Sequence, residues 1–277
     1  MVKSYYCGLV NGQDIEEVKK RIFFISPEDF SPIPLSKKIF DRPDLLKEIK
    51  SLIRDVSNSF MIVIRSTEDE IDLAKELNIN LLAADPLFNY LGTKHGSKCI
   101  FKECGLLYPD SSNECHTDVD LAKEIISLWK KNPNIDRMMI KLNDSFSGNG
   151  NAILNLTKLK KKILLNSDSN DLKDEMMFEK KNFENEKLFE FVLKEFENLK
   201  FIDKETNWKS FYNKFKQMGG IAELFLVGVA SPSGQACIKL NGEVSIISTH
   251  EQVFTGPDKQ VDLIKKTNFL TTFDRFI

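Results

Sequence analysis

The chain has 277 residues, with 39 lysines and arginines against 41 acidic residues, and 42% of its residues are hydrophobic. This length suffices for two compact domains or one large α/β unit. The near-neutral charge argues against a dedicated nucleic-acid binder, and no apolar run approaches the ~20 residues that span a bilayer. The five cysteines lack a paired C-x-x-C spacing and the start lacks a signal-peptide pattern. We therefore expect a cytoplasmic protein with reduced thiols and no zinc site.

The first 85 residues alternate short apolar runs with amphipathic segments. The apolar runs predict strands at 5–10, 21–26, 60–65 and 80–84, and the amphipathic segments predict helices at 14–20, 43–54 and 68–77. Pro43 suits a first helical position because its missing N–H needs no partner there. This alternation predicts a parallel sheet covered by helices.

The middle of the chain changes character twice. Residues 86–131 are predicted to be mostly helical, with a break near Tyr108-Pro109-Asp110. A strand at 137–142 then leads into a loop rich in glycine and asparagine, and the chain returns in a strand at 152–156. The charged stretch 157–200 is interpreted as an insertion, flexible over 157–172 and a solvated helix over 173–198.

The last third predicts a helix at 208–218 and strands at 221–228, 235–240 and 243–249. Asn241-Gly242 between the last two strands is a strong hairpin signal, and Ser231-Pro232-Ser233-Gly234 is interpreted as a turn. The strand before Ser248 is expected to be well buried. Apolar surroundings in the sequence indicate core thiols at Cys99, Cys104 and Cys237.

Two segments carry lysines suited to phosphate. Lys141 ends a strand just before the glycine-rich loop, where backbone N–H groups and a compact ammonium together suit an anion. The loop is not a Walker A motif, and an ordinary hairpin with an exposed lysine stays an alternative. Lys94 and Lys98 share one helix face, which indicates either an anion between them or a solvated surface.

A third candidate site follows the strand at 243–249. Ser248-Thr249-His250-Glu251-Gln252 places four polar residues around a histidine. His250 there suits either a general base or a hydrogen bond that holds a loop.

Taken together, these segments resemble the ATP-grasp family. The matching residues are Gly92-Thr93-Lys94-His95-Gly96-Ser97-Lys98, Met139-Ile140-Lys141-Leu142, Ser147-Gly148-Asn149-Gly150-Asn151 and Ala222-Glu223-Leu224-Phe225. The chain is more similar to one branch, shared by the pheganomycin-type peptide ligases and IQ-motif-containing protein H. That similarity adds Ser231–Gln235, Gly242–Val244 and Ser248–Gln252, and extends over about 20–256.

The resemblance implies an α/β fold, with α+β character in the second half. It implies a parallel-sheet pre-ATP-grasp domain at 1–90 and a partial ATP-grasp domain at 91–277, with the charged insertion at about 157–200. It also implies site roles: Lys98 and Lys141 on the phosphates of ATP, Ser147, Gly148, Asn149 and Gly150 as a lid, and Glu223 near the sugar or base. His250 and Glu251 would lie near the acceptor substrate or the phosphates.

The chain departs from the family pattern in two respects. It has no IQ motif, so calmodulin binding does not carry over. The family's acidic magnesium ligands follow the matched segments, and nothing after Gln252 matches them, so we expect a truncated domain with an exposed sheet edge. Two hypotheses remain: a ligase that joins a carboxylate and an amine through an acyl-phosphate with ATP and Mg²⁺, or a nucleotide- or protein-binding module without turnover.

Overall fold

The computed structural model describes residues 15–145, 150–165, 186–226, 232–239 and 241–251. The chain divides between Asn89 and Tyr90 into two compact units. Within the described ranges, no helix is both long enough and apolar enough to cross a membrane.

The first unit is built around a parallel pair of strands joined through a helix. Its elements are α1 (Ile15–Lys19), α2 (Leu35–Phe40), α3 (Pro43–Leu52), β1 (Phe60–Ile62), α4 (Glu68–Leu77) and β2 (Asn80–Leu82). β1 and β2 pair in parallel, with Phe60 opposite Asn80. Parallel neighbours need a crossover, which α4 supplies while it buries Leu73, Ala74 and Leu77.

This parallel pair confirms the α/β character expected of the first unit, although both strands are shorter than predicted. The predicted strand at 21–26 is wrong, because this segment has no strand conformation. Phe23 and Phe24 in this segment are 55% and 63% exposed. An apolar run by itself is therefore not enough to predict that a segment pairs as a strand. The predicted strand at 5–10 lies outside the described residues.

The second unit combines helices with antiparallel sheets, as expected for its α+β character. Its helices are α5 (Lys94–Glu103), α6 (Asp118–Lys131), α7 (Leu156–Leu165), α8 (Glu186–Glu195) and α9 (Trp208–Met218). Its strands are β3 (Arg137–Leu142), β4 (Asn151–Asn155), β5 (Lys200–Phe201), β6 (Gly220–Leu224), β7 (Pro232–Ile238) and β8 (Val244–Glu251). A four-stranded antiparallel sheet has the order β5-β4-β3-β6, and β7 pairs with β8 separately.

One face of the four-stranded sheet carries the hydrophobic core. Met138, Ile140 and Leu142 alternate along β3 and are at most 2% exposed. The helices that cover this face contribute Leu121, Ile125 and Trp129 from α6, Leu188 and Val192 from α8, and Phe211 and Phe215 from α9. Full burial of each large apolar side chain contributes about 1.5–3 kcal/mol, so this face anchors β3 and its neighbours.

The outer edge of β6 is covered by an extended segment rather than exposed. Ser112 N donates to the carbonyl oxygen of Ala222 at 2.8 Å, and Cys115 N donates to that of Gly220 at 2.9 Å. The outer edge of β6 is therefore not an exposed sheet edge of the kind expected, because residues 110–115 form hydrogen bonds with its backbone groups.

The interpretation of 157–200 as a flexible insertion with a solvated helix is wrong in two places. Residues 156–165 form α7, and Leu159 in it is fully buried. Helix α8 is amphipathic and buries Leu188 and Val192 in the core, and Phe196 follows at 1% exposure. The density of lysine and glutamate on the outer face hid this apolar stripe.

The predicted hairpin between β7 and β8 is confirmed, with a longer connection than Asn241-Gly242. Lys239 N donates to the carbonyl oxygen of Glu243 at 2.9 Å, which closes the strand pair. Gly242 has φ +83°, a left-handed conformation that glycine adopts without strain.

Three expectations about exposure and local structure are wrong. Pro232, Ser233 and Gly234 lie in β7 instead of a turn. The strand before Ser248 is not buried, since Val244, Ile246 and Ile247 are 63%, 65% and 61% exposed, because a two-stranded sheet covers neither of its own faces. Cys99, Cys104 and Cys237 are exposed, whereas Cys115 is buried, and burial raises the pKa of its thiol to about 12.

Candidate functional site

The sheet face opposite the core carries a group of charged side chains. The β3–β6 register sets Met139 opposite Glu223 and Lys141 opposite Ile221, so all four share this face. Met139, Ile153 and Ile221 are nearly or fully buried and form an apolar floor. On this floor, Lys141 Nζ lies 2.5 Å from Glu223 Oε1.

Helix α5 brings a second lysine to the same carboxylate. Lys98 Nζ lies 2.8 Å from Glu223 Oε2 and 5.6 Å from the centroid of the Tyr108 ring. The side chains of Lys98 and Glu223 are only 13% and 9% exposed. Glu223 therefore bridges two ammonium groups that come from different elements, largely shielded from solvent.

Lys94 adds a third positive charge to this group. Burial lowers the pKa of the Lys94 ammonium, and the neighbouring charge of Lys141 lowers it further, while Asp144 and Glu223 oppose the shift. In the part of the chain that the structure describes, Lys94 forms no ion pair within 4 Å. The group, which we call the lysine cluster (Lys94, Lys98 and Lys141), thus has more positive charge than Glu223 alone balances.

Glu223 is ionised at neutral pH despite its burial. Burial by itself raises the pKa of this carboxyl, but the charge of Lys141 and the hydrogen bonds from both bridging lysines outweigh it and lower the pKa. The carboxylate is therefore a fixed anion that holds two lysines around it.

The first turn of α5 is fixed by hydrogen bonds within the protein. Lys94 N donates to the backbone oxygen of Asn143 at 2.9 Å, and His95 N donates to Asn143 Oδ1 at 2.8 Å. Gly96 N donates to Thr93 Oγ1 at 3.0 Å. Because these amides already have acceptors, an anion at this site would be held by lysine side chains and not by the helix N-terminus.

The glycine-rich loop after β3 is only partly described. Ser147, Gly148 and Asn149 lie outside the described residues, so their role as a lid stays a prediction. Gly150 is buried, and its carbonyl oxygen accepts from Leu142 N at 2.8 Å, which pins the two ends of the loop together.

His250 and Glu251 lie on β8, in a different sheet from Lys141 and Glu223. Ser248 Oγ lies 2.9 Å from His250 Nε2 and donates to Gln235 Oε1 at 3.0 Å. Glu251 is exposed at the end of the strand, opposite Pro232. The structure therefore brings together Lys98, Lys141 and Glu223 from the candidate residues, and it places His250 and Glu251 on the separate hairpin.

Sequence reasoning missed two residues that shape the lysine cluster. Asn143 lies two residues after Lys141 and is 4% exposed. Its position in a polar loop did not indicate that it would be buried. Tyr108 was assigned only to a helix break. The sequence offered one signal for Asn143, because it is a polar residue directly after an apolar strand. No local pattern indicated that Tyr108 lies near Lys98.

The family resemblance implies Mg²⁺, which favours several carboxylate and carbonyl oxygens. The described residues contain no group of three or more histidine, cysteine, aspartate or glutamate side chains placed to hold a metal ion. The lysine cluster itself suits an anion, so the described part of this face fits the phosphates of a nucleotide but offers no magnesium ligand set.

Comparison with known proteins gives a family match over most of the chain. The model of a family described as "IQCH-like, ATP-grasp" matches residues 86–261. IQ motif-containing protein H from Danio rerio is 31% identical over 147 residues. These are 51% of this chain and 14% of that protein, so the chain spans about a seventh of the length of this relative.

Solved structures show weaker likeness. The biotin carboxylase domain of 2-oxoglutarate carboxylase from Hydrogenobacter thermophilus has a TM-score of 0.47 and 14% identity, over 81% of this chain and 40% of that chain. D-alanyl-alanine synthetase A from Vibrio cholerae has a TM-score of 0.39 and 11% identity, over 72% of this chain and 46% of that chain.

Proposed function

The chain belongs to the IQCH-like ATP-grasp family, and from this premise we propose that its second unit binds ATP, with the lysine cluster on the phosphates. Lys98 and Lys141 are the residues that the family resemblance assigns to phosphate. We include Lys94 in the proposed phosphate site because it lies on the same helix face as Lys98 and because the charge of Lys141 lowers its pKa.

The observation that carries this proposal is the excess of positive charge in a shielded place. Three ammonium groups lie near the buried carboxylate of Glu223, with Asp144 as a further acidic group near Lys94. The pKa of Lys94 is nevertheless lowered, first by burial and second by the charge of Lys141. Like charges in a shielded site repel strongly unless an anion compensates them. A polyphosphate supplies several negative oxygens at once, which makes it the ligand best matched to this charge pattern.

Glu223 has a second part in the proposal. By accepting from Lys98 and Lys141 with separate oxygens, it holds the two ammonium groups apart and prevents either lysine from extending into solvent. The site is therefore preorganised before a nucleotide arrives, which reduces the entropy lost on binding.

We assign no reaction to the described residues. A ligase of this family would need a carboxylate and an amine substrate, and the residues that the resemblance suggests for that role, His250 and Glu251, lie on the separate hairpin. We also assign no magnesium ligand, because the described side chains form no metal-binding group.

Calorimetric titration of the full chain with a non-hydrolysable ATP analogue tests this proposal. Lys141→Met should weaken binding by roughly 10- to 100-fold, because a charge-assisted hydrogen bond contributes about 1.5–3 kcal/mol. Lys209→Met, which changes an exposed lysine on α9, is the matched control and should bind like the unchanged chain. Equal affinity of all three proteins, or no binding by the unchanged chain, would overturn the proposal.

Repeating the titration with Mg²⁺ distinguishes between the two hypotheses that the sequence analysis left open, the ligase and the binding module. A large enhancement by magnesium would point to metal ligands among residues outside the described ranges and would favour the ligase. Tight binding that is indifferent to magnesium would favour a module that holds nucleotide.

A further inference from the structure

Asn143 connects the two elements that carry the lysine cluster. It lies just beyond Lys141 of β3, and both its backbone oxygen and its side-chain Oδ1 accept from the first turn of α5, at Lys94 N and His95 N. Its own N–H donates to the carbonyl oxygen of Gly219 at 2.9 Å, in the bend between α9 and β6. One residue thus joins the start of α5 to the end of β3 and to the start of β6.

These hydrogen bonds fix the start of α5 relative to β3. No other described hydrogen bond at the start of α5 does so. Thr93 Oγ1 accepts from Gly96 N and donates to the Tyr90 carbonyl oxygen, so Thr93 stabilises only its own turn. The Asn143 bonds instead run from the helix to the strand that carries Lys141. They set how far Lys94 lies from Lys141.

We propose that Asn143 is a positioning residue that holds the lysines of α5 in register with Lys141. It touches no phosphate in this role and acts through the backbone of Lys94 and His95. Its effect on nucleotide affinity rests on the proposed function, whereas its effect on the distance between the lysines does not.

The buried environment explains why the side chain matters. Asn143 is 4% exposed, so water does not readily replace Oδ1 as the acceptor for His95 N. Without that acceptor, the first turn of α5 must shift toward solvent or toward another oxygen. The backbone bond from Lys94 N to Asn143 remains, so the side chain contributes the bond at His95, and a shift of this turn toward solvent takes Lys94 away from the charge of Lys141.

The pKa of Lys94 reports this distance without any nucleotide. In the structure it is lowered from 10.5 by burial and by Lys141, against the opposing charges of Asp144 and Glu223. If the helix start moves outward, Lys94 gains water and loses the repulsion, and its pKa must rise toward 10.5.

The test compares Asn143→Leu, which keeps the size but removes the acceptor, with Thr93→Val, which removes an acceptor from the same turn. Nuclear magnetic resonance titration of Lys94 in the nucleotide-free full chain should show a higher pKa in Asn143→Leu and no change in Thr93→Val. Affinity for the ATP analogue should fall about 5-fold or more only in Asn143→Leu, which is about 1 kcal/mol.

An unchanged Lys94 pKa in folded Asn143→Leu would overturn the inference. If that variant does not fold, Asn143→Ser keeps a shorter acceptor and should show the same two changes at smaller size, and its failure to do so would be equally decisive. Failure of the unchanged chain to bind nucleotide would contradict the proposed function only, since the Lys94 titration still tests the positioning role.

Discussion

At the scale of single residues, the balance of burial against charge decides the state of the site. Glu223 is 7% exposed, and an isolated carboxyl so placed would bind a proton readily. Lys98 and Lys141 reverse that tendency by contacting its two oxygens. Both lysines therefore have a partner in Glu223, whereas Lys94 forms no ion pair within 4 Å among the described residues, so the lysine cluster keeps more positive charge than Glu223 balances.

Glu223→Gln should lower the free energy of unfolding by about 3 kcal/mol near pH 7, because it removes one partner from a buried ion-pair group. The folded pKa of Glu223 is lowered below 4.5. As the pH falls, the unfolded chain therefore binds this proton first, and the stabilisation is complete above about pH 5 and is lost through the folded pKa.

Urea unfolding at a series of pH values measures this effect. The difference between the unchanged chain and Glu223→Gln should be constant above about pH 5 and should shrink below pH 4.5. Glu197→Gln, at an exposed position, is the control and should differ little from the unchanged chain. A difference that persists undiminished in acid would contradict the role given to the Glu223 charge.

At the scale of elements, the sequence predicted what depends on local pattern. Helix α9 was predicted at its observed limits because an amphipathic stretch ends at Gly219-Gly220; the structure adds that Asn207 caps its start. Strand β3 was predicted equally well, since its apolar run ends at a polar loop. Helix α8 was assigned to solvent because charged residues dominate the composition of the whole segment 157–200, although Leu188 and Val192 of the helix are buried in the core.

Helix α5 depends on a glycine in its first turn. A Cβ atom at Gly96 would overlap the carbonyl oxygen of Tyr90. Gly96→Ala should therefore lower the free energy of unfolding by about 1–3 kcal/mol, although alanine normally favours a helix by nearly 1 kcal/mol. Thermal unfolding checks this, with Gly92→Ala as the control because nothing lies within 4 Å of its added methyl group. A more stable Gly96→Ala would show that α5 is not seated against Tyr90.

At the scale of the whole molecule, the site depends on contacts between distant parts of the chain. The sequence identified Lys98 and Lys141 from their local patterns and from the family resemblance, and it identified Glu223 from the resemblance alone. It did not indicate that Glu223 contacts both lysines, because that follows from the β3–β6 register and from the packing of α5. Asn143 was missed for the same reason: its partners Lys94 and His95 lie 48 or more residues earlier in the chain.

Because the chain divides into two units, we can predict which of them a bound nucleotide stabilises. If the lysine cluster binds ATP, a ligand at 100 times its dissociation constant stabilises the second unit by about 2.7 kcal/mol. Hydrogen exchange should then slow most in α5, β3 and β6, whose backbone positions the lysines and Glu223. Helices α3 and α4 of the first unit should exchange as before, because they contribute no residue to the cluster.

Hydrogen–deuterium exchange with mass spectrometry, with and without the non-hydrolysable ATP analogue, reads both units in one experiment. The same comparison in Lys141→Met should remove most of the protection in α5, because the ligand then loses the charge that links it to β3. Protection centred on α3 and α4 would place the nucleotide in the first unit. That result would mean that the lysine cluster around Glu223 does not bind the nucleotide. The chain would then belong to the family without using this site for ATP.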